Sequence, residues 1–397
     1  MGTKVIVLGG GIIGMLTAYF LNKKGFSVTV IEKRSGVALG TSLANGSQVS
    51  FSHTLPSFFE PKKNLLQKIF EKETIEKKIN KKNPDVKNFL LKQKEEILKE
   101  KKNIEIINKI TEISKGSLEE LIQDEQLERY FKSCGIIHFF EDSDKFEEFC
   151  EKAKLLNQKF KIYKKKELYN IEPNLENFTN KIISGVYFEN DKTTNCHDIC
   201  KILEGILKER GVDFIFNTNI TSFKTAGEQI LAACSADGKE LQADAFICAN
   251  GTEIEPLVQT LGLSFNIFPV RGYSYTFNVE KVNYAPFIGL IDKTNRIVYS
   301  LYKSYLRVAG FFDLGVNTPN EIAERLKQFE ETIITTFPLL KRNGIVHKWT
   351  DNRPFTPSCV PIVGKTQQFS NLFINGGHGS SGVTLSFGSG RIISELI

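Results

Sequence analysis

No stretch of the 397 residues approaches the roughly 18 uncharged apolar positions that a membrane-crossing helix needs, so an integral membrane protein is not expected. Cysteine is sparse and scattered: the seven stand at 134, 150, 196, 200, 234, 248 and 359. Cys196 and Cys200 lie four apart, but no second pair follows at zinc-ligand spacing, so a metal site is not expected. An odd, dispersed set reads as free thiols in a reducing, cytoplasmic compartment. Of the five histidines, His53, His138, His197 and His347 have no partner pattern and are read as surface or core residues. The first strand-like run starts at Lys4, so no basic head with a small-residue cleavage site is expected before it. The chain has no internal repeat.

What is present is the composition of a soluble globular protein, 41% hydrophobic and 25% charged, in a chain long enough for two interwoven domains. The formal net charge of +6 is unevenly placed. Residues 60–115 hold 16 Lys against 10 Asp and Glu, so this segment carries the whole excess. Two readings stand: an ordinary solvated helical face, or a basic surface held against anionic lipid headgroups. Nucleic acid is disfavoured, because no aromatic residue is interleaved with the lysines between Phe70 and Phe89.

Lys4–Leu8 is a short apolar run followed by three glycines and a helical pattern to about Lys24. Gly25 stops that helix, and Ser27–Ile31 reads as a second strand, giving a βαβ unit. Residues 61–130 are helix formers with apolar positions three and four apart, expected as surface helices covering another layer. Strands are expected at 136–140, 185–188, 213–216, 229–234, 245–249, 273–277, 296–300 and 305–309, and helices at 196–210 and 321–336. Residues 371–397 read as strand, glycine-rich turn and helix.

The strongest local signal is Gly9-Gly10-Gly11-Ile12-Ile13-Gly14, a G-x-G-x-x-G that leaves a strand and opens a helix. Gly9 permits the tight turn, Gly11 lets backbone approach a pyrophosphate, and Gly14 allows close helix–strand contact. Phosphates then meet unpaired N–H groups at the positive helix end. Glu32, followed by Lys33, closes the second strand where a carboxylate can accept from ribose hydroxyls. This identifies a dinucleotide site without separating FAD from NAD. Two further segments favour FAD. Thr41, Ser42 and Asn45 sit in a polar loop suited to a longer cofactor. Asn375-Gly376-Gly377-His378-Gly379-Ser380-Ser381-Gly382-Val383-Thr384 forms a second glycine-rich helix entrance, suited to N–H donors facing a reduced flavin.

These pieces resemble the D-amino acid dehydrogenase branch of the D-amino acid oxidase superfamily over nearly the whole chain. The resemblance includes the run from Thr41 to Gln48, Gly185-Val186-Tyr187-Phe188, Phe268-Pro269-Val270-Arg271-Gly272-Tyr273-Ser274, Arg353-Pro354-Phe355-Thr356-Pro357 and the 375–384 turn. It implies an α/β fold: a discontinuous Rossmann-like FAD-binding domain with an inserted substrate domain of antiparallel sheet plus helices. The expected division assigns 1–60, 185–265 and 345–397 to the former and 61–184 and 266–344 to the latter. Gln48, Gly377, Gly379, Ser381, Gly382, Val383 and Thr384 join the cofactor residues. Arg353 is implied to hold a substrate carboxylate, which suits a guanidinium's paired donors. The alternative is a structural arginine tied to Asp351 or a backbone carbonyl.

Tyr273 and Tyr275 should face one side of a strand and are candidates to donate to that carboxylate, with core packing as the alternative. Arg271 is a second cationic candidate. His378 is a candidate flavin contact, proton carrier or structural residue. Ser358-Cys359 and Asp351-Asn352 depart from the family pattern around Arg353, which leaves the substrate range open, and the family leads one to expect further residues after Ile397.

The resemblance thus implies hydride transfer from a D-amino acid to flavin N5, release of a 2-oxo acid and ammonia, and electron delivery to a respiratory acceptor such as a quinone. A basic 60–115 face at the inner side of the cytoplasmic membrane would fit that acceptor. The rivals are a glycine or D-amino acid oxidase using oxygen, a flavin-binding module without catalysis, and a tRNA-modifying flavoenzyme.

Overall fold

The computed structural model describes residues 2–56 and 77–397. The part of the lysine-rich stretch at 60–76 lies outside the described residues. A six-stranded sheet has the order Asp213–Ile215, Ser27–Ile31, Lys4–Leu8, Ala245–Cys248, Leu372–Gly376 and Ile362–Lys365. Its first five strands are parallel and the last is antiparallel. Alternation within Lys4–Leu8 sends Val5 and Val7 to one face and Ile6 and Leu8 to the other. The first face packs on helices Ile12–Lys23, Cys196–Glu209 and Gly382–Leu396, and the second on a three-stranded sheet over 220–241 and the short helix Ile254–Gln259.

Local signals set these boundaries. The first helix ends at Lys23 and the chain turns through Gly25 at φ +87°. Asn195 caps Cys196–Glu209 by accepting from His197 N, and Thr318 with Glu321 forms a capping box on Pro319–Thr336.

The nine-stranded second sheet is mostly antiparallel. Two parallel pairings modify the expected pattern, Ile136–Phe140 with Gly289–Asp292 and Lys77–Ile79 with Tyr305–Leu314. Ser184–Phe188, a strand expected in the FAD-binding domain, and Ile345–Phe355, a segment assigned to that domain with no strand expected, pair within this sheet instead. The reason is visible in the register: the former lies between Ile136–Phe140 and Lys161–Lys164, and the latter runs along Phe268–Asn278 at the sheet edge.

The helix Glu100–Glu125 covers another layer as expected, with one face exposed and the other buried. Ile104, Ile107, Ile110, Leu118 and Leu121 are buried. Ser114 Oγ donates to Thr384 O at 2.7 Å and accepts from Gly388 N at 2.8 Å. Gly388 makes that approach feasible, because a Cβ there would lie 2.5 Å from Ile110 O. Sequence from the middle of the chain therefore buttresses the second glycine-rich entrance.

Candidate active site

Between the two sheets lies a cavity of about 400 Å³. Its walls include Gly9, Gly11, Ile12, Ile13, Glu32, Lys33, Thr41, Ser42, Asn45 and Gln48, together with His378, Gly379 and Ser381 to Thr384. The two glycine-rich entrances, separated by most of the chain, thus border one space.

At the first entrance, Gly9 adopts φ +106°, and a Cβ on Gly14 would stand 1.9 Å from Gly9 O. Gly10 and Gly14 shape the turn rather than the wall. Gly10 N donates to Glu32 Oε2 at 2.7 Å and Arg34 N to Glu32 Oε1 at 2.9 Å. A carboxylate has about four acceptor positions, so Glu32 retains capacity for a ligand. Ser42 Oγ accepts from Ile12 N at 3.0 Å, and Lys33 pairs with Glu253 at 3.0 Å.

The loop over 41–48 is fastened to the large sheet. Ser274 Oγ donates to Ala44 O at 2.6 Å, Ser300 Oγ to Gly46 O at 2.7 Å, and Arg307 Nη1 to Asn45 O at 3.3 Å. In return Thr41 Oγ1 donates to Asn352 O at 2.9 Å and Gln48 Nε2 to Leu290 O at 3.2 Å. At the second entrance Gly377 and Gly379 adopt φ +75° and +55°. Gly377 lies behind the wall, where a Cβ would meet Thr356 at 2.5 Å. Thr384 Oγ1 accepts from Ser50 N at 2.9 Å, and Ser381 Oγ donates to His53 O at 3.2 Å.

His378 Nε2 meets Ser389 Oγ at 3.0 Å, whereas its buried Nδ1 and the buried Asn250 Oδ1 find no partner among the described residues. Both residues line the cavity. Burial lowers His378 to a pKa of about 3, so the ring is neutral at physiological pH. Glycine-fixed backbone, a carboxylate with spare acceptors, orphaned polar atoms and the N-terminus of Gly382–Leu396 fit a long ligand that is anionic at its phosphates and polar at its ring.

The other end of the cavity is cationic. Arg353 Nη1 donates to Phe311 O at 3.0 Å, and its guanidinium lies 4.6 Å from the Phe312 ring centroid. A bulge creates that seat: opposite Gly272, the partner strand carries both Phe311 and Phe312, and Phe311 takes φ +54°. Gly272 leaves room, since a Cβ there would lie 2.3 Å from Arg353 Cζ. Arg353 is therefore tied to a backbone carbonyl by one nitrogen, while Asp351 lies 3.8 Å from Arg34 instead. No carboxylate among the described residues lies within ion-pair distance of Arg353. Burial brings its pKa down to about 10, still far above neutral.

Tyr273 and Tyr275 require correction. They share a strand face, as alternation implies, but it is the face away from the cavity. Both are fully buried against Phe329. Tyr273 Oη donates to Asp313 Oδ2 at 2.8 Å and Tyr275 Oη to Leu326 O at 3.0 Å. The helix Pro319–Thr336 claims the aromatic face, and the small residues Gly272 and Ser274 face the cofactor side. Arg271 is likewise turned away, donating to Val316 O at 2.9 Å.

Sequence reasoning missed His53, Lys293, Arg296, Asn250, Gly272 and Phe312. His53, Lys293 and Arg296 line the same cavity as Arg353. Burial and the positive charges of Lys293, Arg353 and Arg296 hold His53 at about 3. Behind it, Asp191 accepts from Phe51 N and Ser50 Oγ, each at 2.9 Å, and from Ser52 Oγ, which also meets His138 Nε2 at 2.8 Å. Burial raises Asp191 to about 6 against these hydrogen bonds. Lys293 and Arg296 sit in a turn, whereas the sequence pattern opens a strand over 296–300 at Arg296 and marks no role for Lys293.

The fold and cavity define a flavin-type dinucleotide enzyme, and comparison with known proteins gives the family. The model of the DAO family, described as FAD dependent oxidoreductase, matches residues 4–396. The chain belongs to this family, and FAD is its cofactor. A D-amino acid dehydrogenase from Vibrio vulnificus (strain CMCP6) is 30% identical over 408 aligned residues, covering 99% of this chain and 95% of the relative. An L-proline dehydrogenase from P. horikoshii has the same fold at TM-score 0.73 and 17% identity, covering 100% of this chain and 93% of that one. A glycine oxidase from Bacillus cereus matches at TM-score 0.71 and 17% identity, covering 99% and 96%.

Proposed function

We propose that the protein oxidises D-amino acids to 2-oxo acids and ammonia and passes the electrons to a respiratory acceptor such as a quinone. One observation carries this reading: Arg353 presents a guanidinium to the cavity with no carboxylate within ion-pair distance among the described residues. The bulge carbonyl occupies one of its five donors, which leaves a pair for a substrate carboxylate. The relatedness to a D-amino acid dehydrogenase supplies the stereochemical class.

FAD, when bound, supplies the acceptor for the hydride that leaves Cα. The protein's own part is placement and electrostatics. Arg353 fixes the carboxylate, and Phe312 closes one side of its guanidinium. Arg353, Lys293 and Arg296 disfavour a further positive charge nearby, so they favour the neutral amine that hydride loss requires. Burial keeps His378 neutral, and burial together with these charges keeps His53 neutral, so neither ring takes up a proton from the substrate at physiological pH. Orientation of this kind can contribute about 7–11 kcal/mol to lowering a barrier.

Among the described residues no helix is long and apolar enough to cross a membrane. Delivery of electrons to a membrane quinone would use a peripheral contact. Leu91 and Leu98, 60% and 73% exposed at Pro84–Ile97 and its end, share a helical face with Lys87 and Lys94. Apolar residues flanked by lysines suit an anionic lipid surface.

Anaerobic reduction of the bound flavin by a panel of D- and L-amino acids tests the reading, with Arg353→Ala as control. Bleaching by D-amino acids that is lost in the variant is expected; enantiomer-blind bleaching, or none, overturns it. Peroxide formed in step with turnover would assign the electrons to oxygen.

A further inference from the structure

We propose that a second cavity, beside the 41–48 loop, binds a small organic carboxylate with an aromatic or apolar body. The cavity holds about 210 Å³, roughly half the 400 Å³ of the first, and none of its lining residues lines the first. Its walls come from the large sheet through Tyr302, Tyr305 and Arg307, from the edge strand at Val346, and from the start of Cys196–Glu209 at Asn195 and Asp198.

Arg307 is the buried member of this wall, only 4% exposed. Its Nε donates to Thr276 Oγ1 at 2.7 Å, its Nη1 to Asn45 O at 3.3 Å and its Nη2 to Tyr302 Oη at 2.9 Å. All three acceptors are neutral. A guanidinium has five N–H groups, so two remain, one on each terminal nitrogen. No carboxylate among the described residues lies within ion-pair distance of Arg307. Asp198, the acid in the wall, is taken by Lys303 at 3.0 Å. Arg325 is buried to the same 4% and meets Asp313 at 2.7 Å, the pairing that Arg307 lacks.

A buried charge costs stability unless an anion and further hydrogen bonds meet it. The two spare donors belong to one planar guanidinium, which suits the two oxygens of a carboxylate. Positive charge exceeds negative around the cavity, with Arg307 and Lys303 against Asp198. His347, whose pKa is lowered by burial and by the Arg307 charge, adds none. The positive end of Cys196–Glu209 strengthens the attraction, since its cap Asn195 accepts from His197 N alone. The rest of the wall selects the body of the ligand. Tyr302 and Tyr305, with ring centroids 5.9 Å apart, and Val346 offer apolar surface that a bare phosphate would leave unused.

The test is calorimetry on the purified holoenzyme carrying Arg353→Ala, so that the substrate cation does not compete for a carboxylate. Phenylacetate is expected to bind at one site per chain, about tenfold or more tightly than 2-phenylethanol, which has similar size without the charge. It should also bind more tightly than inorganic phosphate. Adding Lys303→Glu, a change at an exposed position, should weaken phenylacetate by about tenfold or more, because two acids then stand beside the ligand. Adding Arg307→Met should abolish binding, with the melting temperature as the check that this variant folds; Lys303→Glu decides the matter if it does not. Absence of phenylacetate binding in Arg353→Ala overturns the proposal, and so does an affinity unchanged by Lys303→Glu. Phosphate binding as tightly as phenylacetate overturns the organic class of ligand. These measurements need no turnover, so they succeed or fail independently of the oxidation reading.

Discussion

The two ends of the cavity are built on different principles. At the nucleotide end, geometry comes from backbone: Gly9 in a left-handed turn, Gly14 against Gly9 O, and a buried carboxylate bonded to main-chain N–H. Charges there are balanced, with Glu253 on Lys33 and Asp351 beside Arg34. At the substrate end, geometry comes from side chains brought together from residues 53, 293, 296, 312 and 353, and Arg353 has no carboxylate within ion-pair distance among the described residues. A site for an invariant cofactor can be fixed by local backbone. A site for a variable substrate keeps unbalanced charge that the substrate itself completes.

The largest effect expected is at the backbone-built end. Gly14→Ala places a Cβ 1.9 Å from Gly9 O and should yield protein that retains little or no FAD, read as the flavin-to-protein absorbance ratio. Gly116→Ala, where nothing lies within 4 Å, should keep the wild-type ratio. Equal ratios in both variants would break the distinction between the two ends.

At the side-chain-built end, Arg353→Ala should keep its flavin yet lose about 100-fold or more in kcat/KM, the cost of removing one partner of a buried charged pair. Gly272→Ala sharpens the point. Its Cβ pushes on the guanidinium at 2.3 Å, so kcat/KM should fall about 10- to 100-fold while the melting temperature changes little. A large fall in stability instead would make Gly272 a packing residue.

Acid should act on the histidines. His53 and His378 are held at about 3, and His138 is also depressed by burial, whereas the unfolded chain titrates near 6.5. Below that value the unfolded state binds protons the folded state refuses, so this stability is present above 6.5 and is lost as pH falls. Asp191 acts oppositely between about 6 and 3.8, because the folded state takes its proton first. Three groups outweigh one, and the holoenzyme should lose roughly 1–3 kcal/mol per pH unit on acidification from 6.5 to 4.5. A flat melting temperature over that window would contradict the burial assigned to these rings.

The smallest effect is expected where the sequence reading placed catalysis and the structure places a core. Tyr273→Phe removes one hydrogen bond to Asp313, worth about 1 kcal/mol of stability, and should leave kcat/KM within about twofold. A tenfold loss of turnover would restore the tyrosine to the site.

The contrast also explains what could be read from sequence. Lys4–Leu8, Ile12–Lys23 and Ser27–Ile31 match the expected boundaries closely, because strand period, glycine turn and helix entry are all local. The turn before Gly382–Leu396 was legible for the same reason. Alternation put Tyr273 and Tyr275 on one face, but which face is decided by Phe329 on a helix more than fifty residues later. Ile345–Phe355 escaped notice because it has charged and polar positions throughout and contains Pro354, tolerated at a sheet edge. Nothing local in the sequence marks Lys293 and Arg296 as cavity residues; the parallel pairing of Gly289–Asp292 with Ile136–Phe140 carries them there.

The hydroxyls of Ser274 and Ser300 hold the 41–48 loop down on the large sheet, so the two layers are sewn together along the cofactor's flank. The strand of Ser274 pairs in turn with the strand of Arg353, so the loop beside the cofactor and the arginine for the substrate rest on one framework.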